Sequence, residues 1–371
     1  MKVLEIANVD FSLRHFVLPL MRGARARGHE VVGVCADGAL LADVRAEGFR
    51  VVPVAFGRRL LTPAHARAFR ALVALMQAEK PDLVHAHMPI SGVVARLAAR
   101  AAGVPRVAYT CHGFWFNAPA SPVRRGVGFA TEWLAARCTD VFLTVSEEEA
   151  ADARRLGIAP GAVASGNGRD PAVFRPDPAA RARIRAGFGV PDDRVVILAV
   201  SRLIRSKGYP ELAAALRAVP GEGPGAELWV VGERLASDHG PDMARLLAGA
   251  GLGARLRMLG YRTDVPALMA AADIFVLPSH LEGLPMAVIE AMLTGLPVVA
   301  TDIRGPREQV VPGVTGLLVP RGQVAPLAAA LARLAADPAL RRAMGAAGRT
   351  RAEARYDESQ VIARTLDLLG L

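Results

Sequence analysis

Lysine is nearly missing from this chain. Of 45 Lys and Arg residues only Lys2, Lys80 and Lys207 are lysines. Aromatics are also scarce, at 5% of 371 residues. A core must therefore come from Ala, Val and Leu, which suits parallel strands covered by helices on both faces. The three cysteines, Cys35, Cys111 and Cys138, are odd in number and lack metal or redox spacing. That argues against a disulfide framework and makes a reducing cytosol the simplest setting. No apolar stretch runs unbroken for long: Arg, Glu or Asp interrupts each one, so no bilayer-spanning helix is expected. The opening MKVLEIANVD reads as a first strand and not as a leader with charged, apolar and cleavage regions.

What is present is a hydrophobic content of 52% with 22% charged residues, the balance of a globular protein. The length accommodates two α/β domains, each with its own core. The formal charge of +10 implies an anionic partner. The arginines are spread along the chain, with no basic tail or aromatic-interleaved patch, so nucleic acid is not expected.

Short strands at Val3–Ile6, Val31–Cys35, Leu83–His87 and Val107–Thr110 alternate with helical stretches rich in Ala, Leu and Arg. The pattern restarts at Val195–Val200, Glu227–Val231, Leu256–Leu259, Ile274–Leu277 and Pro297–Ala300. Repeated βαβ units of this kind predict doubly wound parallel sheets. Gly103-Val104-Pro105 and Gly295-Leu296-Pro297 punctuate the two halves alike, with Gly as a left-handed helix cap and Pro stopping the helix. A Gly/Pro/Asp cluster from Gly166 onward reads as a linker. The expected division is 1–168 for a first Rossmann-like domain, 169–180 for the linker, 181–354 for a second, and 355–371 for a closing helix. Open α/β sheets bind ligands at the carboxyl ends of their strands, so a cleft where two such sheets face each other is the expected site.

The richest segment is Leu277-Pro278-Ser279-His280-Leu281-Glu282-Gly283-Leu284-Pro285, continuing to Glu290-Ala291-Met292. A strand ends, a small loop follows, and Pro285 opens a helix where its missing N–H costs nothing. Amides at such a start can meet an anionic or hydroxyl-rich ligand. Eight positions on one helix would leave Glu282 and Glu290 well apart in angle, so it is the loop that could aim both at one pocket. Ser201-Arg202-Leu203-Ile204-Arg205-Ser206-Lys207-Gly208 follows another strand. The bland alternatives are an exposed helix Glu, a loop carboxylate and two solvated cations. A compact ammonium is functionally distinct from guanidinium, and a lone Lys among arginines favours a specific use.

The E-G-L-P-x-x-x-x-E-A-M pattern together with R-L-x-x-x-K-G resembles the retaining glycosyltransferases of the GT-B fold, and is similar to the family 4 group. The resemblance implies two Rossmann-like domains, with a C-terminal helix crossing back to the first. It implies that Glu282 contacts the donor sugar, that Glu290 grips the ribose, and that Gly283 and Leu284 offer backbone N–H groups. Arg202 and Lys207 would neutralise the donor diphosphate as it departs. Gly232 would lie at the second-domain turn near the donor, and Arg262, in Leu259-Gly260-Tyr261-Arg262, in the segment that meets the base. His112 in Tyr109-Thr110-Cys111-His112-Gly113 resembles a family histidine near the reacting sugar; a loop His that only bridges backbone groups is the even alternative. His85 and His87 share a strand face and read as core or pocket lining, without the further ligands zinc requires.

Residues Asn8–Phe16 depart from the family by lacking a Gly-rich turn. Ser12-Leu13-Arg14-His15-Phe16 looks more like members that extend cell-surface polysaccharides or lipid-linked oligosaccharides from UDP-sugars, making Ser12 and His15 acceptor-side candidates. The plainer reading is that Phe16, Val17, Leu20 and Met21 pack the first helix. No D-x-D pair occurs, so neither a metal bridging the diphosphate nor any other cofactor is expected. Pro122–Arg137 carries Arg124, Arg125 and Arg137 beside Trp133 and Leu134; it reads first as a helix packed on its domain and second as a surface for anionic membrane.

The expected function is metal-independent, retaining transfer of a hexose or N-acetylhexosamine from a nucleotide-diphosphate sugar, UDP by preference. The acceptor would be a glycan or lipid-linked sugar. The enzyme would be cytoplasmic, with the inner membrane surface as a peripheral partner. A sugar-nucleotide epimerase on the same fold is the alternative, followed by a non-catalytic protein that binds anionic ligands.

Overall fold

A computed structural model describes residues 1–57, 62–117, 121–219, 225–234, 238 and 240–371. The chain divides into two compact units, one of residues 1–166 with 359–371 and the other of residues 167–358.

Among the described residues the first unit holds seven strands: β1 (Lys2–Ile6), β2 (Glu30–Cys35), β3 (Arg50–Pro53), β4 (Leu83–His87), β5 (Arg106–Cys111), β6 (Val141–Thr144) and β7 (Val163–Ala164). They form one parallel sheet in the order β3-β2-β1-β4-β5-β6-β7. The second unit holds β8 (Val195–Val200), β9 (Ala226–Val231), β10 (Leu256–Gly260), β11 (Ile274–Leu277), β12 (Val298–Thr301) and β13 (Gly316–Val319). Their order is β10-β9-β8-β11-β12-β13, again all parallel. Both are doubly wound Rossmann-like sheets. Strand order reverses between β1 and β4 in one and between β8 and β11 in the other, which sets a crevice at the carboxyl ends of those strands.

Aliphatic side chains make the cores, as the shortage of aromatics requires. Ile197, Leu198, Leu228, Val230, Ile274 and Val276 are shut off from solvent in the second unit, and Leu4, Ile6, Val84 and Ala86 in the first. Gly103 and Gly295 have φ of 72° and 80°, the left-handed conformation that ends a helix before the next strand. The chain's last helix, Glu358–Leu369, buries Val361, Leu366 and Leu369, and its residues from Ser359 belong to the first unit. Gly23 makes room for it: a Cβ there would sit 2.5 Å from Ile362 Cγ2. Arg27 fastens it through Asp367 Oδ1 at 2.7 Å. No described helix is long and apolar enough to cross a membrane.

Candidate active site

In the second unit the sequence candidates gather at the carboxyl ends of the strands. Arg202 and Lys207 follow β8, Gly232 follows β9, Arg262 follows β10, and Glu282, Gly283 and Leu284 follow β11. The loops after β8 and β11 therefore flank the reversal of strand order. Lys207 and Glu282 meet across it, with Nζ 2.6 Å from Oε1. Both side chains are largely buried, at 17% and 9% exposure, so solvent screens the pair only partly.

Tight backbone packing fixes this geometry. Gly208, at φ 75°, lets the loop after β8 press on the one after β11; a Cβ there would lie 2.0 Å from the Pro278 carbonyl oxygen. The amide of His280 donates to the carbonyl of Ser206 at 2.7 Å, tying the same two loops. Gly232, at φ 129°, packs likewise against Ser201 O, where a Cβ would come within 2.1 Å.

The helix Met286–Leu293 is buried along most of its length. Pro285 is its N-cap, with φ −65° and ψ 121°, one residue earlier than the sequence reading had it. The amides of Gly283 and Leu284 donate to no group among the described residues. Asn167 Nδ2 donates to the Leu284 carbonyl at 2.8 Å, and Gln309 Nε2 to that of Pro285 at 3.0 Å. The loop is thus held by its carbonyls with two amides left over.

Glu282 and Glu290 take different partners. Glu290, 9% exposed, accepts from Arg169 Nε at 2.7 Å. Arg202 reaches Asp238 Oδ1 at 2.5 Å, and Arg262 pairs with Asp264 at 2.6 Å. Sequence reasoning missed Arg169 and Asp238. Arg169 lies in the Gly/Pro/Asp stretch taken as a linker, more than a hundred residues from its partner, and no local pattern marks it.

In the first unit His112 follows β5 and is half-buried. Its Nε2 lies 3.2 Å from His87 Nδ1, while His87 Nε2 lies 2.7 Å from Glu5 Oε2. His85 Nδ1 is 3.2 Å from Glu5 Oε1, and its Nε2 is 2.8 Å from Thr110 Oγ1. The parallel register sets Glu5 opposite His85, and His87 opposite Thr110. Burial pushes the Glu5 carboxyl up, but attraction to His85 and hydrogen bonds with both histidines outweigh it and bring it to about 2. Burial and the neighbouring His85 bring His87 down to about 4, despite Glu5. Burial, then His87 and His85, holds His112 well below its ordinary value. Glu5 was legible as an anomaly, a carboxylate inside an otherwise apolar strand, but its partners lie some eighty residues on. One ligand atom from each of Glu5, His85 and His87 falls within a 4.8 Å cluster that could in principle hold a metal ion. Those same nitrogens and oxygens are already joined by the hydrogen bonds just described.

Ser12 is buried, and Leu13–Val17 forms a π-helical turn. That turn brings Phe16 to 6.0 Å from the His112 ring, and His15 to 4.4 Å from Phe11, centroid to centroid. Val17, Leu20 and Met21 enter the core. The helix Pro122–Ala136 packs by Gly128, Glu132 and Ala135. Its other face exposes Val123, Trp133 and Leu134, with Arg124 and Arg125 on the surface and Arg137 stacked 3.8 Å over Trp133.

Two family models match: "Glycosyl transferase 4-like domain" over residues 13–168 and "Glycosyl transferases group 1" over residues 180–351. The putative glycosyltransferase EpsD of Bacillus subtilis is 31% identical, over 99% of this chain and 96% of its own. The UDP-Gal:alpha-D-GlcNAc-diphosphoundecaprenol alpha-1,3-galactosyltransferase of Escherichia coli is 31% identical, over 73% of this chain and 70% of its own. Among solved structures, Anabaena Alr3699/HepE in complex with UDP matches with a TM-score of 0.84 and 24% identity over 100% of both chains. Sucrose-phosphate synthase from Thermosynechococcus elongatus matches with a TM-score of 0.84 and 22% identity, over 100% of this chain and 98% of its own. At those identities the likeness to the two structures is one of fold.

Proposed function

This chain belongs to the group 1 glycosyltransferases of the GT-B fold, similar to family 4, and we propose that it transfers a hexose or N-acetylhexosamine from a UDP-sugar to a glycan or lipid-linked sugar with retention of configuration. The observation that carries the reading is the Lys207–Glu282 pair at the strand-order reversal, beside the unengaged amides of Gly283 and Leu284. A diphosphate brought to that crevice would meet the Lys207 ammonium and the Arg202 guanidinium. Fixed cations there stabilise the charge that builds on the leaving group. Glu282 would then be released to accept from a hydroxyl of the donor sugar, and Glu290, steadied by Arg169, to accept from the ribose. Gly232, packed on Ser201, would form the turn near the donor, and Arg262 would flank the base.

The bond from the anomeric carbon to the phosphate oxygen breaks as the acceptor oxygen bonds to the same face of that carbon. The acceptor proton passes to the departing phosphate. No metal takes part in this scheme, because Lys207, Arg202 and backbone amides supply the positive charge. The lipid-linked acceptor is supported by the name of the Escherichia coli relative, and UDP by that name and by the complex of the Anabaena neighbour. Ser12 and His15 are proposed on the acceptor side. The exposed Val123, Trp133 and Leu134 with Arg124 and Arg125 would rest on anionic lipid, as a basic amphipathic helix does.

The test is a thermal-shift screen of nucleotide-sugars, since a ligand of the folded state raises apparent stability, followed by turnover with and without lipid-linked acceptors. Turnover lowered in Lys207→Ala and UDP-sugar binding weakened in Glu290→Ala support the reading; binding and turnover unchanged in both would overturn it. A changed sugar formed without acceptor would identify an epimerase instead. Co-flotation with anionic but not neutral vesicles, abolished by Trp133→Ser, tests the membrane contact.

A further inference from the structure

The hydrogen bonds among Glu5, His87 and His112 determine which atom carries each proton. An ionised carboxylate can only accept. His87 must therefore carry its proton on Nε2, the nitrogen 2.7 Å from Glu5 Oε2. A neutral imidazole has one N–H, so His87 Nδ1 is then a bare acceptor. The nitrogen facing it at 3.2 Å, His112 Nε2, must be the donor. His112 is thereby committed to its Nε2–H form, with a lone pair at Nδ1, an atom that has no hydrogen-bond partner among the described residues.

Resting on the glycosyltransferase reading above, we propose that Glu5 and His87 are positioning residues that lock His112 as an Nε2–H tautomer, so that its Nδ1 accepts a hydrogen bond from a sugar hydroxyl. The lock is built into the sheet. Glu5 sits on β1 and His87 on β4, the two strands between which strand order reverses, and His112 follows β5, the next strand over. Glu5 is fully buried and His87 3% exposed, so water does not compete for their protons. His85 Nδ1 also faces the carboxylate, 3.1 Å from Oε2 and 3.2 Å from Oε1. The same burial lowers the pKa of His87 and of His112 and favours their neutral forms. An imidazole free to exchange tautomers would present a donor at Nδ1 for part of the time, and a hydroxyl bound to it could turn the wrong way. Orientation of a catalytic imidazole by a buried carboxylate works elsewhere through this tautomer control.

The experiment is long-range ¹H–¹⁵N NMR of the full chain labelled at histidine, with the His112 signals identified by their loss in His112→Asn. A neutral Nε2–H pattern for His112 at pH 7 is expected; a neutral Nδ1–H pattern or a protonated ring would overturn the lock, and this needs no variant to fold. In His87→Phe and, independently, Glu5→Leu, His112 should show mixed tautomers. Sugar transfer should then fall about 10- to 100-fold in kcat, the usual cost of removing such a support, with the donor KM changed less than twofold. A folded His87→Phe enzyme with wild-type kcat would sink the positioning role, whatever Lys207→Ala does. Wild-type enzyme with no turnover at all would instead count against the function on which this role depends, while the spectrum still judges the lock.

Discussion

Lys207 Nζ and Glu282 Oε1 stand 2.6 Å apart, joining the loops that leave β8 and β11 on the two sides of the strand-order reversal. Each is the other's counter-ion in a largely desolvated position. Without a ligand, the pair keeps a buried carboxylate and a buried ammonium from standing alone, which would be costly. On the proposed function, a donor diphosphate would compete with the carboxylate for the ammonium and free Glu282 for a hydroxyl. On that proposal the pair is the resting state of the donor site.

Lys207→Ala should therefore lower kcat about 100- to 1,000-fold, the scale of losing one fixed charge at a developing anion. Steady-state sugar transfer measures it, and circular dichroism confirms that the variant is folded.

Glu290→Ala should act on binding. It removes a carboxylate that Arg169 already orients at 2.7 Å. A lost hydrogen bond to a charged group is worth about 1.5–3 kcal/mol, so calorimetry should show nucleotide affinity reduced by at least tenfold. Arg169→Ala should weaken the same affinity less, because Glu290 survives without its support.

Gly305→Ala should damage the donor loop from a distance. Its φ is 82°, and a Cβ would lie 2.0 Å from the Gly283 carbonyl oxygen. Strain of that kind costs about 1–3 kcal/mol. A lower Tm together with a higher donor KM is expected, since the carbonyl that must move belongs to the residue whose neighbouring amides are available to the ligand.

Acid should destabilise the first unit, with a sign that follows from the depressed values. His87 is held at about 4 against an ordinary 6.5, and Glu5 at about 2 against 4.5. In the unfolded chain both take up protons at higher pH than in the folded one, so stability falls as pH drops. His87 acts between pH 6.5 and 4, and Glu5 from 4.5 downward. Urea midpoints at pH 7.5 and 5 should differ in the wild type and differ less in His87→Phe.

Arg96 is wholly buried, 2.8 Å from Glu132 and 3.7 Å over the Tyr109 ring. Arg96→Ala should cost about 3–5 kcal/mol by stranding a buried carboxylate. Arg96→Met with Glu132→Leu should recover most of that, as chemical denaturation will show.

The amino-acid sequence by itself determined the two parallel sheets and their cores. Strand periodicity, Gly103 and Gly295 at the helix ends, and the shortage of aromatics are local properties, and local physics carries them into structure. It also placed Lys207 and Glu282 in loops after strands, because strand ends are legible from the apolar runs that precede them. What only the tertiary structure decided is which charged groups meet. Glu5 drew no notice within its strand, and only the register set His85 opposite it. Arg169 was a linker residue until it met Glu290, and the two glutamates of the motif proved to hold different cations. Electrostatic pairing depends on distances of a few ångströms between residues a hundred positions apart. No pattern confined to a stretch of sequence encodes that, and only the packing of the sheets does.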